Sequence, residues 1–486
     1  MPSPRKRWIG APVGSSHKVC ARGGCVRARY LLIAILLVAL VALPAQQAGP
    51  PAGLTIAQAV EAALRNYPSV RVSQEQINAA AASIQLARTA YLPKVDAAAQ
   101  ANRATRNNVF GLLLPQGVIA GISGPVLGTN NFGTTWGSAI GALVTWEPFD
   151  FGVRKASVAA ASAVHGRSEA TLRRTQYDVV VAAADSYVTL VAAQETVRAA
   201  QAGVDRAQVI LQTITALVNA QLRPGADASR AEAELAAART QVIQAQQAVA
   251  VARANISRFV GLEPAQIAIS APKLLQLPAA QTVAPLDTGA NPIALEQNAV
   301  VEQLRSQLRV LERSYFPRFF LQGSAYARGT GAETNGKILG GLNGLAPSTQ
   351  NYALGFSVTF PVMEIASIRA QEAGQSATIR AETARYQQIA ADLKAQWNVA
   401  VATLQGARNV AANTPVQVAA SRAATNQATA RYQSGLGNID EVAEAQRLLT
   451  QAEIDDGLAR LGVWRALLGI ATAAGDIQPF LAEADQ

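Results

Sequence analysis

The chain has 486 residues, 50% of them hydrophobic but only 5% aromatic, and a formal net charge of +10. Alanine-rich, aromatic-poor sequence of this kind favours long, closely packed helices over one thick globular core. Seven basic residues (Arg5, Lys6, Arg7, Lys18, Arg22, Arg27, Arg29) precede Tyr30 with no acid among them, which leaves roughly +3 for the rest and removes the main support for nucleic-acid binding. Both cysteines, Cys20 and Cys25, lie in the same stretch, so the chain beyond it has neither a disulfide nor a thiolate metal site.

The predicted elements follow in chain order. Residues 1–48 have the layout of a secretory signal peptide: basic residues, the apolar run LLIAILLVALVAL, then small residues, with cleavage expected near Ala45 or Ala48. The apolar run is short against the ~20 residues of a bilayer span, and a retained anchor is the alternative. Residues 49–90 read as short helices. Residues 91–148 read as a strand pair whose long connection, 107–131, is expected to be an extracellular loop on the side opposite the helices; it is apolar for an exposed loop and is expected to fold over the open end of the strands or pack on its neighbours. In 149–263 there is no proline between Gly152 and Leu222, and small and apolar residues recur at 4-3-4-3 spacing: Tyr177, Val181, Ala184, Val188, Val191, then Ala200, Val204, Ala207, Leu211, Ile214, Val218. That is coiled-coil periodicity in a helix on the order of 100 Å long. Residues 264–314 form a Pro-rich connector and further short helices.

From there the pattern repeats. Tyr67-Pro68 recurs as Asn291-Pro292, and Tyr91-Leu92-Pro93 as Tyr315-Phe316-Pro317, both at the same separation along the chain. WEPFDFGVRKASV from Trp146 resembles TFPVMEIASIRAQEA from Thr359, and AQLRPGADASRAEAEL from Ala220 resembles SGLGNIDEVAEAQRLL from Ser434. Residues 315–361 are therefore a second strand pair, 362–475 a second long helical hairpin with Pro415 expected to kink or break it, and 476–486 a tail.

The strands alternate with period two. Tyr352, Leu354, Phe356, Val358 and Phe360 share a face; Trp136, Ile140, Val144 and Trp146 do the same in the first half. Runs of this length fit either a soluble sheet or tilted membrane strands, with Tyr91, Trp146, Tyr315 and Phe360 placed as interfacial aromatics. In the membrane reading, four strands cannot close a barrel, which needs at least ~8, so copies of the chain must share one.

No catalytic constellation is present. Beyond the leader, histidine occurs only as His165, on a long helix without a metal-ligand or nucleophile-base partner, and no Gly-rich loop has phosphate-binding spacing. No cofactor and no metal site are expected.

The leader, the tandem repeat, two strands and two long helices per half and the YLP/YFP entry to a strand together resemble the TolC outer-membrane efflux family, from Leu54 to about Gly475. The resemblance implies a mainly α fold with membrane β: a homotrimer with a shared 12-stranded barrel and a periplasmic coiled-coil tunnel, in the outer membrane of a Gram-negative-type cell. It implies a passive exit channel in contact with outer-membrane lipid, working with a periplasmic adaptor and an inner-membrane pump or secretion ATPase, and not an enzyme. It also implies site residues at the turns between the long helices. Leu222, Gly225, Gly435 and Leu436 are the tips for adaptor docking; Asp440, Glu441 and Glu444 form an acidic constriction; Tyr432 and Asp227 link inner to outer helices. A further family arginine aligns with Gly437 and its partner with Ala226, so half of the lock is expected to be missing and the tip to be held more weakly. The alternatives are a periplasmic coiled-coil adaptor or scaffold, which would show one hairpin flanked by compact β-domains, and a helix-decorated hydrolase, which would need a nucleophile-base pair.

Overall fold

The computed structural model describes residues 53–105, 133–279, 285–333, 335 and 337–485. The leader and the 107–131 connection lie outside the described residues.

The two halves fold alike. In the first, α1 (Ile56–Asn66) and α2 (Pro68–Thr89) lead into β1 (Lys94–Thr105), β2 (Thr134–Trp146), α3 (Val153–Asn219) and α4 (Gly225–Val260). In the second, α5 (Pro292–Arg313) leads into β3 (Arg318–Thr330), β4 (Thr349–Thr359), α6 (Ile365–Gln433) and α7 (Ile439–Ala474), and α8 (Gln478–Ala484) closes the chain. Helices α3 and α6 have 67 and 69 residues, and α4 and α7 have 36 each. The repeated prolines stand at the first turn of α2 and α5, where a missing N–H costs nothing. Asn291 caps α5 by accepting from the Ile293 N–H at 2.9 Å, and its amide donates to the Ala473 carbonyl at 3.1 Å.

The strands form one antiparallel sheet in the order β1-β2-β3-β4, so the β2–β3 pair joins the repeats and β1 and β4 are its edges. The register places Val95, Ile140, Val144, Leu321, Leu354 and Phe356 on one face and Asp96, Gln100, Gln322, Ser324 and Ser357 on the other. Tyr352 and Leu354 are 88% and 80% exposed. Gly141 has to be glycine: a Cβ there would lie 2.3 Å from the Cβ of Tyr326, which pairs with it across the ladder.

The main core sits where α1, the connector and the C-terminus wrap the middle of the hairpins. Ile56, Ala183, Tyr187, Leu190, Ile256 and Trp464 are buried there. The Tyr187 hydroxyl lies 2.8 Å from the carbonyls of both Leu54 and Ser270, and the Trp464 indole donates to the Gln276 carbonyl at 2.8 Å, which ties both strap segments to the bundle. Two expectations about the helices need correction. Ala184, Val188 and Val191 are buried as the heptad reading has them, but Tyr177 and Val181 are only half-buried, while Val179, Val180, Ala183, Tyr187 and Leu190 join the core. The cause is that α3 is packed on several sides here, by α1, α4 and α7, and a single a/d stripe is too narrow for that. Of the kink or break expected at Pro415, the break does not occur: α6 is continuous across it. Proline removes one backbone bond, and packing along α7 on both sides of it compensates: Leu404 and Ala411 sit with Val463 and Ala466, Thr414 donates to Asp456 at 2.9 Å, and Thr425 to the Ala445 carbonyl at 3.0 Å.

The joint between sheet and helices was not foreseen. Asp150 accepts from the Gly152 and Arg154 N–H groups at 3.1 and 2.6 Å and from the Arg154 guanidinium at 2.9 Å. Burial acts to raise this carboxyl, but those donors outweigh it and hold it below its ordinary value. Arg154 lies 4.9 Å over the Tyr91 ring, and the Trp146 indole donates to the Tyr91 carbonyl at 3.1 Å.

Candidate functional site: the turns joining the long helices

Both hairpins turn in the same way. The Leu222 N–H reaches back to the Leu217 carbonyl and the Leu436 N–H to that of Arg431, each at 2.9 Å. The preceding residues, Gln221 and Gly435, take left-handed φ of 58° and 78°. Gly435 does so freely, whereas Gln221 carries a side-chain penalty. Gln221→Gly is therefore expected to stabilise the first turn by about 0.5–1 kcal/mol, read as slower hydrogen exchange of the tip amides. Leu222 and Leu436 project outward, 70% and 73% exposed, and space around Gly225 is open.

Behind the turns the two hairpins of one chain meet. Ile214, Ala231, Ile439 and Val442 pack around Tyr432, which is 3% exposed. Its hydroxyl donates to Asp227 Oδ2 at 2.7 Å, across from α6 to the first turn of α4. Burial first, and then the Asp227 carboxylate, push the phenol up to about 12 against the opposing pull of Arg223, so the hydroxyl keeps its proton through the neutral range. The Arg223 guanidinium lies 4.3 Å over the Tyr432 ring and donates to the Tyr432 carbonyl. Reasoning from sequence did not find Arg223, although matching the two turns places it opposite Gly437 and so pointed to it.

Each of the three acidic residues expected at the constriction has an arginine near it. Asp440 lies 3.5 Å from Arg230, Glu441 3.8 Å from Arg431, and Glu444 2.8 Å from Arg447. Arg230 and Arg447 also approach Glu234, at 3.4 and 3.9 Å. All these groups are wholly or partly exposed, so the pairs are individually weak, and the four carboxylates share three arginines. Asn438 caps α7, accepting from the Glu441 N–H at 2.9 Å.

At the other end of the helices, Tyr91, Trp146 and Phe360 are exposed. Tyr315 is half-buried, and its hydroxyl donates to Glu372 on α6 at 2.7 Å. Among the described residues no helix is long and apolar enough to cross a membrane, and no cluster of side chains could hold a metal ion.

Against known proteins, the family model described as "Outer membrane efflux protein" matches residues 59–262 and 290–476. No curated protein matches. Solved structures share the fold. The outer-membrane channel OprN is 22% identical with a TM-score of 0.69, over 86% of this chain and 89% of that one. The outer membrane protein VceC from Vibrio cholerae is 16% identical with a TM-score of 0.69, over 87% and 96%. The outer membrane channel MtrE of Neisseria gonorrhoeae, solved in its open state, is 18% identical with a TM-score of 0.65, over 87% and 89%.

Proposed function

The chain belongs to the outer membrane efflux protein family, and on that premise we propose that it is the exit channel of a tripartite efflux or type I secretion system, a passive conduit opened from the periplasmic side. One observation carries this reading: a sheet with an apolar face, a polar face and two edges is continuous with two hairpins whose longer helices run roughly 100 Å. Edges β1 and β4 cannot stand unpaired in lipid, and three copies joined through them give twelve strands around a polar lumen. Stacked below the barrel, the six hairpins form the tunnel. The doubled hairpin also sets the chain apart from an adaptor, and the family is one of transport rather than catalysis.

In this reading the exposed Leu222 and Leu436, with Gly225 and Gly435, form the surface for the periplasmic adaptor, which connects to an inner-membrane pump or secretion ATPase. The bond from Tyr432 to Asp227 holds the tip shut, and Asp440, Glu441 and Glu444 set the charge of the constriction. Tyr91, Trp146 and Phe360 lie at the lipid boundary. Conductance of the purified protein in planar bilayers tests the channel; a protein that inserts but never conducts in any variant or condition contradicts it. Glu441→Gln with Glu444→Gln leaves Arg431 and Arg447 without these partners, so the preference for cations should fall. The change in permeability ratio should be about fivefold or less, matching the ~1 kcal/mol of exposed charge pairs, and block by multivalent cations should weaken. Reversal potentials in a salt gradient measure it.

A further inference from the structure

We propose that Arg223 is a positioning residue of the tip, capping the C-terminal end of α6 from the opposite hairpin and holding Tyr432 in place for its bond to Asp227. The inference rests on the channel reading above.

The geometry is specific. Arg223 lies in the turn between α3 and α4, yet its guanidinium reaches Tyr432 of the other hairpin in two ways, stacking on the ring at 4.3 Å and donating to the backbone carbonyl. Tyr432 stands in the last turn of α6, where the helix dipole places partial negative charge; its carbonyl also accepts from the Gly435 N–H at 3.1 Å, and the guanidinium is a second donor to it. A fixed cation there is favourable, and the planar fork can cap and stack together where lysine cannot. The same ring is buried against Ile214 and Val442, and its hydroxyl is bound to Asp227, so Arg223 fixes one end of a side chain whose other end is already held.

The internal repeat explains why the cation comes from this side. Matching the turns pairs Leu222 with Leu436 and hence Arg223 with Gly437. A Cβ at Gly437 would lie 3.2 Å from Glu441 Oε2, 3.3 Å from the Arg431 Cβ and 3.4 Å from the Tyr432 nitrogen, so a side chain there would need these neighbours to yield by a few tenths of an ångström. The first turn supplies the arginine. On this proposal the restraint expected to be missing at Gly437 is carried on the other hairpin.

The test is resting conductance of the purified full-length protein in planar bilayers for wild type, Arg223→Ala, Arg223→Lys and Arg223→Gln, with oligomer mass measured for each. Arg223→Ala should raise the fraction of time spent conducting by about tenfold or more, the scale of a lost charge-assisted bond, without changing open-state conductance. Arg223→Lys should recover part of that, because it restores the charge at the helix end, and Arg223→Gln should not. A tip that is merely packed would leave Lys and Gln alike. If the alanine variant fails to assemble, the Lys–Gln difference decides. Variants that assemble and rest as quietly as wild type, or Lys and Gln leaking equally, overturn the inference while leaving the channel standing. A wild type that conducts in no condition fails the channel reading instead.

Discussion

Leu354→Arg should prevent insertion into the outer membrane. Leu354 sits in the middle of β4, 80% exposed, between Tyr352 and Phe356 on the apolar face. An arginine near the bilayer midplane of a barrel costs about 2–4 kcal/mol, and a trimer bears that cost three times. The variant should stay in the soluble or aggregated fraction, detected by membrane fractionation and heat-modifiable mobility. Ser357→Arg, one strand face over on the polar side, should insert and alter conductance only. Equal insertion of both variants would mean that the apolar face does not meet lipid.

Tyr432→Phe removes one hydroxyl and keeps the ring. The lost bond runs from a buried phenol to a half-buried carboxylate, and a hydrogen bond to a charged group is worth about 1.5–3 kcal/mol per subunit. Resting conductance in planar bilayers should rise by about tenfold or more, because the threefold assembly repeats the loss. Arg223 still touches the ring and carbonyl of the phenylalanine variant, so the combination with Arg223→Ala should leak more than either change alone. An unaltered resting conductance in Tyr432→Phe would remove the gate assignment and leave the barrel untouched.

Much of this architecture is legible in the sequence because its periodicities are long and local. Alternation along Tyr352, Leu354, Phe356 and Val358 reads directly as a strand face, and the absence of proline from 152 to 222 as one helix. The repeat supplies the pairing of Tyr67-Pro68 with Asn291-Pro292, and the structure places both prolines at helix starts. What was not legible depends on which surfaces meet. The heptad stripe in α3 names Tyr177 and Val181, but three neighbours on different sides bury Val179, Val180 and Tyr187 instead. Pro415 looks disruptive by itself, and only the packing of α7 against it shows how α6 continues. The pairing of Asp440 with Arg230 crosses from one hairpin to the other, and no spacing rule contains it. Arg223 was within reach: the matched turns place it opposite Gly437, and a cation absent from one turn was present in the other. The Asp150–Arg154 joint also had a local signal, an acid followed four residues later by a base at a helix start.

The shared trimeric channel rests on four strands being too few to enclose a pore. The mass of the complex purified from outer membranes in detergent, with the detergent contribution removed, tests that most directly. The account requires three copies of the chain, giving twelve strands and six hairpins. A stable, membrane-inserted monomer would contradict it, because edges β1 and β4 would then stand unpaired in lipid.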